Sequence, residues 1–386
     1  MFLYNAEIFT ATGTVIKNGY VKVSGKMIEK VSEGTPEKIS PEDYDCNGKT
    51  LFPGFIDAHT HMGLFESGIG IEGEDCNEDS DPVTPNLRTI DGINCLDENF
   101  SLALSYGITT VATGVGSANP IGGDVIAVKT TGRYADEMLR RVVGIKFALG
   151  ENPKSTFSEK DSAPVTRMAT AAIIREALFK AKRYVEDKKK ALSEDGDTPE
   201  YDAKCEALEP LLNREIKAFF HCHKANDIMT AVRIAKEFDL DYSLVHCTEG
   251  HLVADVLGEN KAKASVGPVI SDKGKPELMG LSLDNASKLS KNKVSVSICT
   301  DHPEVPIQYL ALSATIAEKN GLPYEDAVNA ITVNAAKFCG IDDIVGTIEK
   351  GKIADIVLFE ENPLGVEVKP VMVMLDGKII IKKENI

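Results

Sequence analysis

The sequence lacks the features that place a protein in a membrane or a secretory pathway. No apolar run approaches the roughly 20 residues that a membrane-spanning helix requires. The residues from Met1 to Glu7 contain neither the basic segment nor the cleavage site of a signal peptide. These absences predict a cytoplasmic protein that does not bind membranes.

Positive charge is also scarce. The chain has 43 Lys and Arg against 59 Asp and Glu, which gives a formal net charge of -16 and a pI near 5.0. Binding to nucleic acid needs clustered Lys and Arg and would be opposed by this negative field. We therefore expect a small-molecule substrate and no nucleic-acid partner.

Disulfide and nucleotide-binding motifs are missing as well. The eight cysteines are scattered and include no Cys-x-x-Cys pair, which predicts reduced thiols rather than a disulfide framework. Gly114, Gly116, Gly122 and Gly123 do not have the G-x-G-x-x-G spacing of a dinucleotide site. Neither a disulfide framework nor a dinucleotide-binding site is therefore predicted.

The arrangement of apolar residues predicts two structural units. Residues 1–50 and 345–386 alternate apolar and polar positions, which indicates strands of one small composite β-sandwich domain. Residues 51–344 instead follow the order apolar strand, loop, amphipathic helix, which is typical of parallel βα units. Eight strands are predicted, at 51–56, 109–112, 124–128, 142–148, 216–220, 242–245, 264–269 and 294–298. This number favours an α/β protein with a (β/α)8 TIM-like barrel.

One segment, at about 162–213, does not fit the barrel pattern and is predicted to be an exposed helical insertion. It begins with a long amphipathic helix and continues into a charged run from Lys188 to Asp197, which we interpret as a solvated face. The apolar face of the helix is predicted to contain Met168, Ala172, Ile173 and Leu178.

Five of the seven histidines follow or close apolar strands: His59, His61, His221, His246 and His302. The strand ends of a parallel barrel meet at one face, and imidazoles meeting there predict a metal site. His59 and His61 are two residues apart, so on an extended strand they point to the same side. Asp57 precedes this pair and could orient one imidazole by accepting a hydrogen bond.

Asp301 ends the last predicted strand. A carboxylate there could bind a metal through one oxygen and accept a proton through the other, as a general base. It could also cap the following helix, and the two roles are compatible.

The run LFPGFIDAHTH at 51–61, together with the C-terminal motifs at 332–337 and 346–355, resembles the amidohydrolase superfamily. Within it, the chain is most similar to the imidazolonepropionase-like and prolidase-like branch, and the resemblance spans nearly the whole sequence. It implies one or two divalent transition-metal ions, with zinc as the expected metal. Iron and manganese bind the same types of ligand.

The resemblance also implies roles for particular residues. His59 and His61 match the first metal pair, His221 the fifth-strand ligand, His246 the sixth-strand ligand and Asp301 the eighth-strand ligand. Two bridging groups stay open: Lys146, in a motif whose lysine is carboxylated by CO2 and joins two ions, and Glu151, as in related deacetylases. The sequence alone does not choose between them.

Three residues are candidates for contacting the substrate. His223 is assigned to the substrate in preference to the metal, although it could replace His221 as a ligand. Arg88 could hold a substrate carboxylate in a bidentate pair or form a salt bridge with neighbouring acids. His251 is the third candidate, and none of the three identifies the substrate.

The function implied by the resemblance is hydrolysis of an amide or cyclic-amide C–N bond in a small molecule. Acyl-amino acids, dipeptides and imidazolone-like rings are the expected substrates, with a metal-activated hydroxide as nucleophile and Asp301 as general base. A mononuclear heterocycle deaminase is the alternative, and a catalytically silent metal-binding barrel is a third interpretation. A homo-oligomer is expected because dimers are common among similar barrels.

Overall fold

The computed structural model describes residues 1–66, 68–194 and 197–383. Its strands are, in chain order, β1 (Phe2–Phe9), β2 (Val15–Ser24), β3 (Met27–Glu33), β4 (Tyr44–Asp45), β5 (Thr50–Pro53), β6 (Phe55–Thr60), β7 (Ile108–Gly114), β8 (Ile121–Lys129), β9 (Leu139–Ala148), β10 (Lys217–Cys222), β11 (Tyr242–His246), β12 (Lys263–Val266), β13 (Ser295–Ile298), β14 (Ile356–Phe359), β15 (Met372–Leu375) and β16 (Lys378–Lys382). The α-helices are α1 (Thr89–Gly92), α2 (Glu98–Ser105), α3 (Ala135–Met138), α4 (Glu151–Ser158), α5 (Arg167–Glu194), α6 (Ala203–Leu212), α7 (Ala225–Glu237), α8 (Ala254–Glu259), α9 (Asn285–Lys291), α10 (Leu310–Lys319), α11 (Tyr324–Ala330) and α12 (Val333–Cys339). Short 3-10 turns occur at Gly70–Gly73, Gly250–Leu252, Pro276–Leu278 and Ile307–Tyr309.

Strands β6 to β13 form one sheet in chain order, and its two edges nearly meet. The backbone N–H of Asp301, just after β13, donates to the carbonyl of His59 in β6 at 3.2 Å. Asp57 in β6 accepts hydrogen bonds from the backbone N–H and the hydroxyl of Thr300, at 3.1 and 2.6 Å. Asp57 therefore joins the barrel edges instead of orienting an imidazole. The result is a nearly closed eight-stranded α/β barrel, as the sequence predicted.

The direction of β8 corrects the predicted (β/α)8 pattern. This strand runs antiparallel to both β7 and β9, whereas the other paired barrel strands are parallel. Only residues 115–120 connect β7 to β8, and a parallel crossover needs a dozen or more residues. The chain therefore turns back on itself here, and no helix separates these two strands.

The predicted first barrel strand, 51–56, is two strands in the structure. Gly54 separates β5, which belongs to a second sheet, from β6, which begins the barrel. A Cβ atom at Gly54 would lie 2.2 Å from Oγ1 of Thr109 in β7. The glycine therefore permits a close backbone approach at the point where the chain enters the barrel.

The second sheet combines strands from both ends of the chain, in the order β16-β15-β14-β5-β1-β2-β3, with β4 paired to β1. Its apolar side chains form one buried cluster, which includes Leu3, Ile8, Val21, Leu51, Ile356 and Met374. Hydrogen bonds join these strands into a single sheet. The β-sandwich description and the domain limits 1–50, 51–344 and 345–386 therefore stay predictions.

Helices α5 and α6 occupy the predicted insertion. The buried face of α5 includes Ala171, Ile174 and Leu178. Of the other residues predicted for that face, Met168 is 80% exposed, Ala172 is exposed and Ile173 is half-buried. Lys188 of the charged run is paired with carboxylates of α6, and Asp195 and Gly196 lie outside the described residues. None of the described helices has the length and apolar character needed to cross a membrane.

Candidate metal centre

Barrel strands bring five predicted ligands to one end of the barrel. His59 lies in β6, His221 in β10 and His246 at the end of β11, while His61 and Asp301 follow β6 and β13. These strands are parallel, so their carboxyl ends lie on the same face. The three strand histidines are buried, and the side chains of His61 and Asp301 are each 13% exposed.

Two of these residues have an uncommon backbone conformation. His246 has a φ of 70° and Asp301 a φ of 56°, in the left-handed region that non-glycine residues rarely adopt. Such residues cost about 1–3 kcal/mol each and persist where the surrounding structure determines their conformation. The barrel therefore holds both side chains in directions that a regular strand would not produce.

Hydrogen bonds determine which nitrogen of His61 and His246 faces the centre. Nδ1 of His61 lies 2.8 Å from the carbonyl oxygen of Gly114, and Nδ1 of His246 lies 2.8 Å from that of Gly267. A carbonyl oxygen only accepts, so Nδ1 carries the proton in both rings. In the neutral rings each Nε2 presents a lone pair to the centre, as in metal-ligating histidines.

The carboxylate of Asp301 faces these imidazole nitrogens. Its Oδ1 lies 3.2 Å from Nε2 of His59 and 3.5 Å from Nε2 of His61. Among the described residues this buried oxygen has no hydrogen-bond partner. Burial acts to raise the pKa of Asp301, but attraction to His246 and its neighbours holds it well below the usual value. Asp301 is therefore a carboxylate that requires a positive charge beside it.

The histidines themselves are mostly neutral. Burial lowers the pKa of His59 and of His223 to about 3 and holds those of His221 and His246 well below 6.5. Neutral imidazoles are the form that binds metal ions. At His61, burial also acts to lower the pKa, but Cys76 and Asp301 raise it to about 10, so this position attracts positive charge.

Lys146 reaches the same centre from β9. Its side chain is fully buried, and its Nζ lies 3.3 Å from Nε2 of His59. Burial lowers the pKa of its amine to about 8. Of the two candidate bridging groups, Lys146 is the one that the structure brings to the histidines.

Glu151, the other candidate bridge, is held elsewhere. It is the first residue of α4, and its Oε2 accepts a hydrogen bond of 3.2 Å from the backbone N–H of Glu277. In return, the backbone N–H of Glu151 donates to Oε2 of Glu277 at 3.3 Å. The described contacts of Glu151 do not include a histidine of the centre.

His223 lies among the metal-ligand candidates, although the sequence assigned it to the substrate. Its ring is stacked on that of His246, with centroids 4.4 Å apart, and its Nδ1 lies 2.7 Å from the hydroxyl of Thr248. Two sets of residues each offer three ligand atoms within 4.8 Å of one another. They are His221, His223 and His246, and His59, His246 and Asp301.

Glu277 is a member of this cluster that the sequence analysis missed. Its Oε1 lies 3.8 Å from Nε2 of His221 and 3.6 Å from Nε2 of His223. It belongs to the 3-10 turn Pro276–Leu278, in the long connection that follows β12. No strand end or motif marks this position, so the sequence carried no signal for it.

Two predicted substrate contacts lie outside the cavity beside the centre. Arg88 is exposed and precedes α1, and His251 lies in the turn Gly250–Leu252. Neither lines the cavity, whose volume is about 500 Å³. Besides the histidines and Asp301, its lining includes Ser117, Asn152, Thr156, Lys275 and Glu304.

The donor set fits a divalent transition metal. Such ions bind neutral imidazole nitrogens and carboxylate oxygens, and both converge here as buried atoms. The Oδ1 of Asp301 faces the Nε2 atoms of His59 and His61 and has no hydrogen-bond partner among the described residues, so a cation between these atoms would compensate the buried carboxylate. The centre could therefore hold a metal through His59, His61, His221, His223, His246 and Asp301.

Comparison with known proteins agrees with this geometry. The model of a family described as the amidohydrolase family matches residues 50–380. The chain belongs to the amidohydrolase family. The resemblance stated from sequence motifs is therefore confirmed, and the chain is a metal-dependent hydrolase that acts on C–N bonds.

Individual relatives extend over nearly the whole amidohydrolase chain. A crystal structure of an amidohydrolase from Thermotoga maritima MSB8 is 38% identical, with a TM-score of 0.94 over 99% of this chain and 100% of that one. Amidohydrolase tasK of Hapsidospora irregularis is 31% identical over 93% of this chain, which spans 39% of that protein. Imidazolonepropionase of Brucella abortus (strain S19) is 23% identical over 93% of this chain and 92% of its own length.

Proposed function

We propose that this amidohydrolase cleaves an amide or cyclic-amide C–N bond of a small molecule at a divalent metal, with zinc as the expected ion. The proposal rests on one observation: Oδ1 of Asp301 and the Nε2 atoms of His59 and His61 converge, at 3.2 and 3.5 Å, beside a cavity. Acyl-amino acids, dipeptides and imidazolone-like rings are the proposed substrates.

When bound, the metal supplies Lewis-acid chemistry that activates water and polarises the scissile carbonyl. His59, His61 and Asp301 would hold it, and His246 belongs to both three-ligand sets. The hydrogen bonds from Nδ1 of His61 and His246 to backbone carbonyls fix the orientation of both rings. The enzyme therefore needs no Ser or Cys nucleophile.

Asp301 is the proposed general base. It is ionised, as its lowered pKa indicates, and it lines the cavity. It accepts a proton from the attacking water and delivers it to the leaving nitrogen, so a single carboxylate serves both steps.

Lys146 is proposed to be carboxylated by CO2 and to bridge two ions. Its buried amine beside His59 is placed to carry such a group, whereas the carboxylate of Glu151 is engaged by Glu277. Carboxylation converts a buried cation beside neutral imidazoles into an anion, which suits a site that binds positive ions.

The cavity suits a polar small molecule. Its volume of about 500 Å³ lies within the usual range for small-ligand pockets. Ser117 and Asn152 offer hydroxyl and amide groups, and Lys275 and Glu304 add one charge of each sign. A substrate with both an amide bond and a charged group would use these contacts.

A mononuclear heterocycle deaminase is the second candidate. The observation that favours it is that His59, His246 and Asp301 alone form a three-ligand set sufficient for one ion. A deaminase would release ammonia from a ring, whereas amide hydrolysis releases an acid and an amine or opens a ring.

The experiment that tests the proposal is a substrate screen on metal-replete enzyme, with N-acyl amino acids, dipeptides, cyclic imides and aminated heterocycles as substrate classes. Hydrolysis of one of the first three classes, dependent on added metal, is expected. Ammonia release from heterocycles alone would favour the deaminase. Less than about half an equivalent of transition metal after metal-supplemented growth would contradict the proposed centre.

A further inference from the structure

Lys275 is the only Lys or Arg among the described residues that line the cavity. It lies in the long connection between β12 and β13, and its side chain is exposed. Over the described part of the chain, no carboxylate forms an ion pair with its ammonium group. Lys275 therefore carries a positive charge that the protein itself does not neutralise.

Glu277 anchors this connection to the opposite part of the barrel. Its Oε2 accepts a hydrogen bond of 3.3 Å from the backbone N–H of Glu151, and its own N–H donates to Oε2 of Glu151 at 3.2 Å. Glu151 begins α4, which follows β9, so the connection after β12 is held beside the end of β9. Only 1% of Glu277 is exposed. Lys275 precedes this buried anchor by two residues, which limits where its side chain can reach.

The charge of Lys275 acts on the two histidines at the end of β10. Burial lowers the pKa of His221 and of His223, and the positive charge of Lys275 lowers both further. An ammonium group must lie near a buried ring to act on it, because the interaction weakens with distance. A substrate that lies over these histidines therefore comes within reach of Lys275.

Uncharged hydrogen-bond donors line the same part of the cavity. Nδ2 of Asn152 donates to Oγ of Ser117 at 2.7 Å and lies 3.5 Å from Nε2 of His221. Because Oγ of Ser117 accepts this bond, its hydroxyl hydrogen is available to another acceptor. A substrate carboxylate placed here would accept hydrogen bonds as well as face a cation.

The acidic residues that line the cavity follow a different strand. Asp301 and Glu304 come after β13, which adjoins β6 where the barrel closes. In the order of the sheet, β10 lies midway between β6 and β13, so it is across the barrel from this closure. A negatively charged substrate group is therefore repelled at the closure and attracted towards Lys275.

We propose that Lys275 binds a carboxylate of the substrate beside His221 and His223, and so selects free acids over their uncharged amides. This inference rests on the proposed function, because it divides the proposed substrates by their charge. N-acyl amino acids and dipeptides with a free α-carboxylate are the favoured class, and uncharged rings are not. Lys275 thereby takes the role that the sequence offered to Arg88.

The test uses pairs of substrates that differ only in charge: N-acetyl amino acids and dipeptides, each compared with its C-terminal carboxamide. Full-length wild type, Lys275→Gln, Lys275→Arg and Lys273→Gln are assayed in metal-replete form, with metal content measured on the same samples. The products are identified, so that kcat/KM refers to the amide bond that both members of a pair share. Lys273 is exposed in the same connection but does not line the cavity, so its variant is the matched control.

Wild type and Lys273→Gln are expected to prefer the free acid by about 10-fold or more in kcat/KM, the scale of a hydrogen bond to a charged group. Lys275→Gln is expected to lose most of this preference, through the free acid alone. Its kcat/KM for the carboxamide should equal that of wild type, because the carboxamide has no charge for Lys275 to bind. Lys275→Arg keeps the positive charge and should retain the preference.

Several results would overturn the inference and leave the proposed function intact. They are a wild type without preference between the paired substrates, a Lys275→Gln variant that keeps the preference or loses both activities equally, and cleavage confined to uncharged cyclic imides. Metal-loaded wild type that hydrolyses neither the paired substrates nor cyclic imides would overturn the proposed function together with the inference. The two failures are therefore distinguishable in one set of assays.

Discussion

Asp301 is the residue on which the chemistry depends most directly. Changing Asp301 to Asn removes the charge and the proton-accepting oxygen but keeps the size of the side chain. We expect turnover to fall by about 100- to 10,000-fold, because a positioned general base contributes on that scale. The measurement is kcat with metal content determined on the same samples.

Metal content separates a lost base from a lost ligand. At least one ion per chain is expected to stay bound in Asp301→Asn, because His59, His61 and His246 still offer their nitrogens. If the variant keeps both its metal and wild-type turnover, the general-base role of Asp301 is wrong.

His59 provides the complementary prediction. His59→Ala removes the imidazole that lies beside both Asp301 and Lys146, so we expect loss of the ion held with His61 and of detectable activity. Elemental analysis of the purified variant checks this.

The matched control for His59 is His251→Asn, because His251 lies in a turn outside the cavity. It should keep wild-type metal content and activity. Equal metal loss in both variants would indicate a general effect on folding and not a ligand role for His59.

At the scale of elements, the closure of the barrel between β6 and β13 depends on Asp57. This buried carboxylate accepts hydrogen bonds from the hydroxyl of Thr300 at 2.6 Å and from two backbone N–H groups. Thr300→Val removes the hydroxyl donor and leaves the backbone bonds. We expect the free energy of unfolding to fall by about 1–3 kcal/mol, because the buried carboxyl group of Asp57 loses its hydroxyl donor and the backbone N–H of His302 loses its acceptor.

The measurement is denaturant unfolding of the metal-free protein, which separates the effect from metal binding. Ser101→Ala is the control, because its exposed hydroxyl donates only to the carbonyl of Glu98 within α2, and its effect should stay within about 0.5 kcal/mol. A Thr300→Val variant as stable as the control would contradict the closing role of Asp57.

The elements also show where sequence patterns succeed. The pattern of apolar runs located seven of the eight barrel strands within a few residues, because a buried strand needs consecutive apolar side chains whatever its direction, but it merged the first barrel strand β6 with β5 of the terminal sheet. It did not predict that β8 is reversed. The direction of β8 depends on the length of the connection at 115–120. That length is known only once the end of β7 and the start of β8 are known.

At the scale of the whole molecule, Arg140 joins the barrel to the terminal sheet. It lies in β9, and its side chain is 5% exposed. It forms ion pairs with Asp355, which precedes β14, and with Asp376, which follows β15. Arg140→Met leaves these carboxylates without their main buried partner. We expect a loss of about 3–5 kcal/mol in the free energy of unfolding, as for other broken buried ion pairs.

The neighbouring pair of Arg141 and Asp343 is the control, because its side chains are 41% and 60% exposed. Arg141→Met should cost no more than about 1 kcal/mol. Thermal and denaturant unfolding of both variants makes the comparison. Equal losses would mean that the contact between barrel and terminal sheet does not depend on Arg140.

The sequence alone determined the class of the fold and the residues at the strand ends. Apolar runs specify barrel strands, and His59, His61, His221, His246 and Asp301 follow those runs at the positions where parallel strands converge. The order of residues along the chain is enough to predict these ligand positions, because each strand brings its own side chain to the same face of the barrel.

The tertiary structure decided what no local pattern contains. Lys146 meets His59, Glu151 turns to Glu277, and Glu277 reaches His221 and His223 from a loop that no motif marks. These contacts join residues far apart in the chain, and their geometry depends on how strands and loops pack in three dimensions. The same reason places Arg88 and His251 outside the cavity, although their side-chain chemistry suited a substrate site.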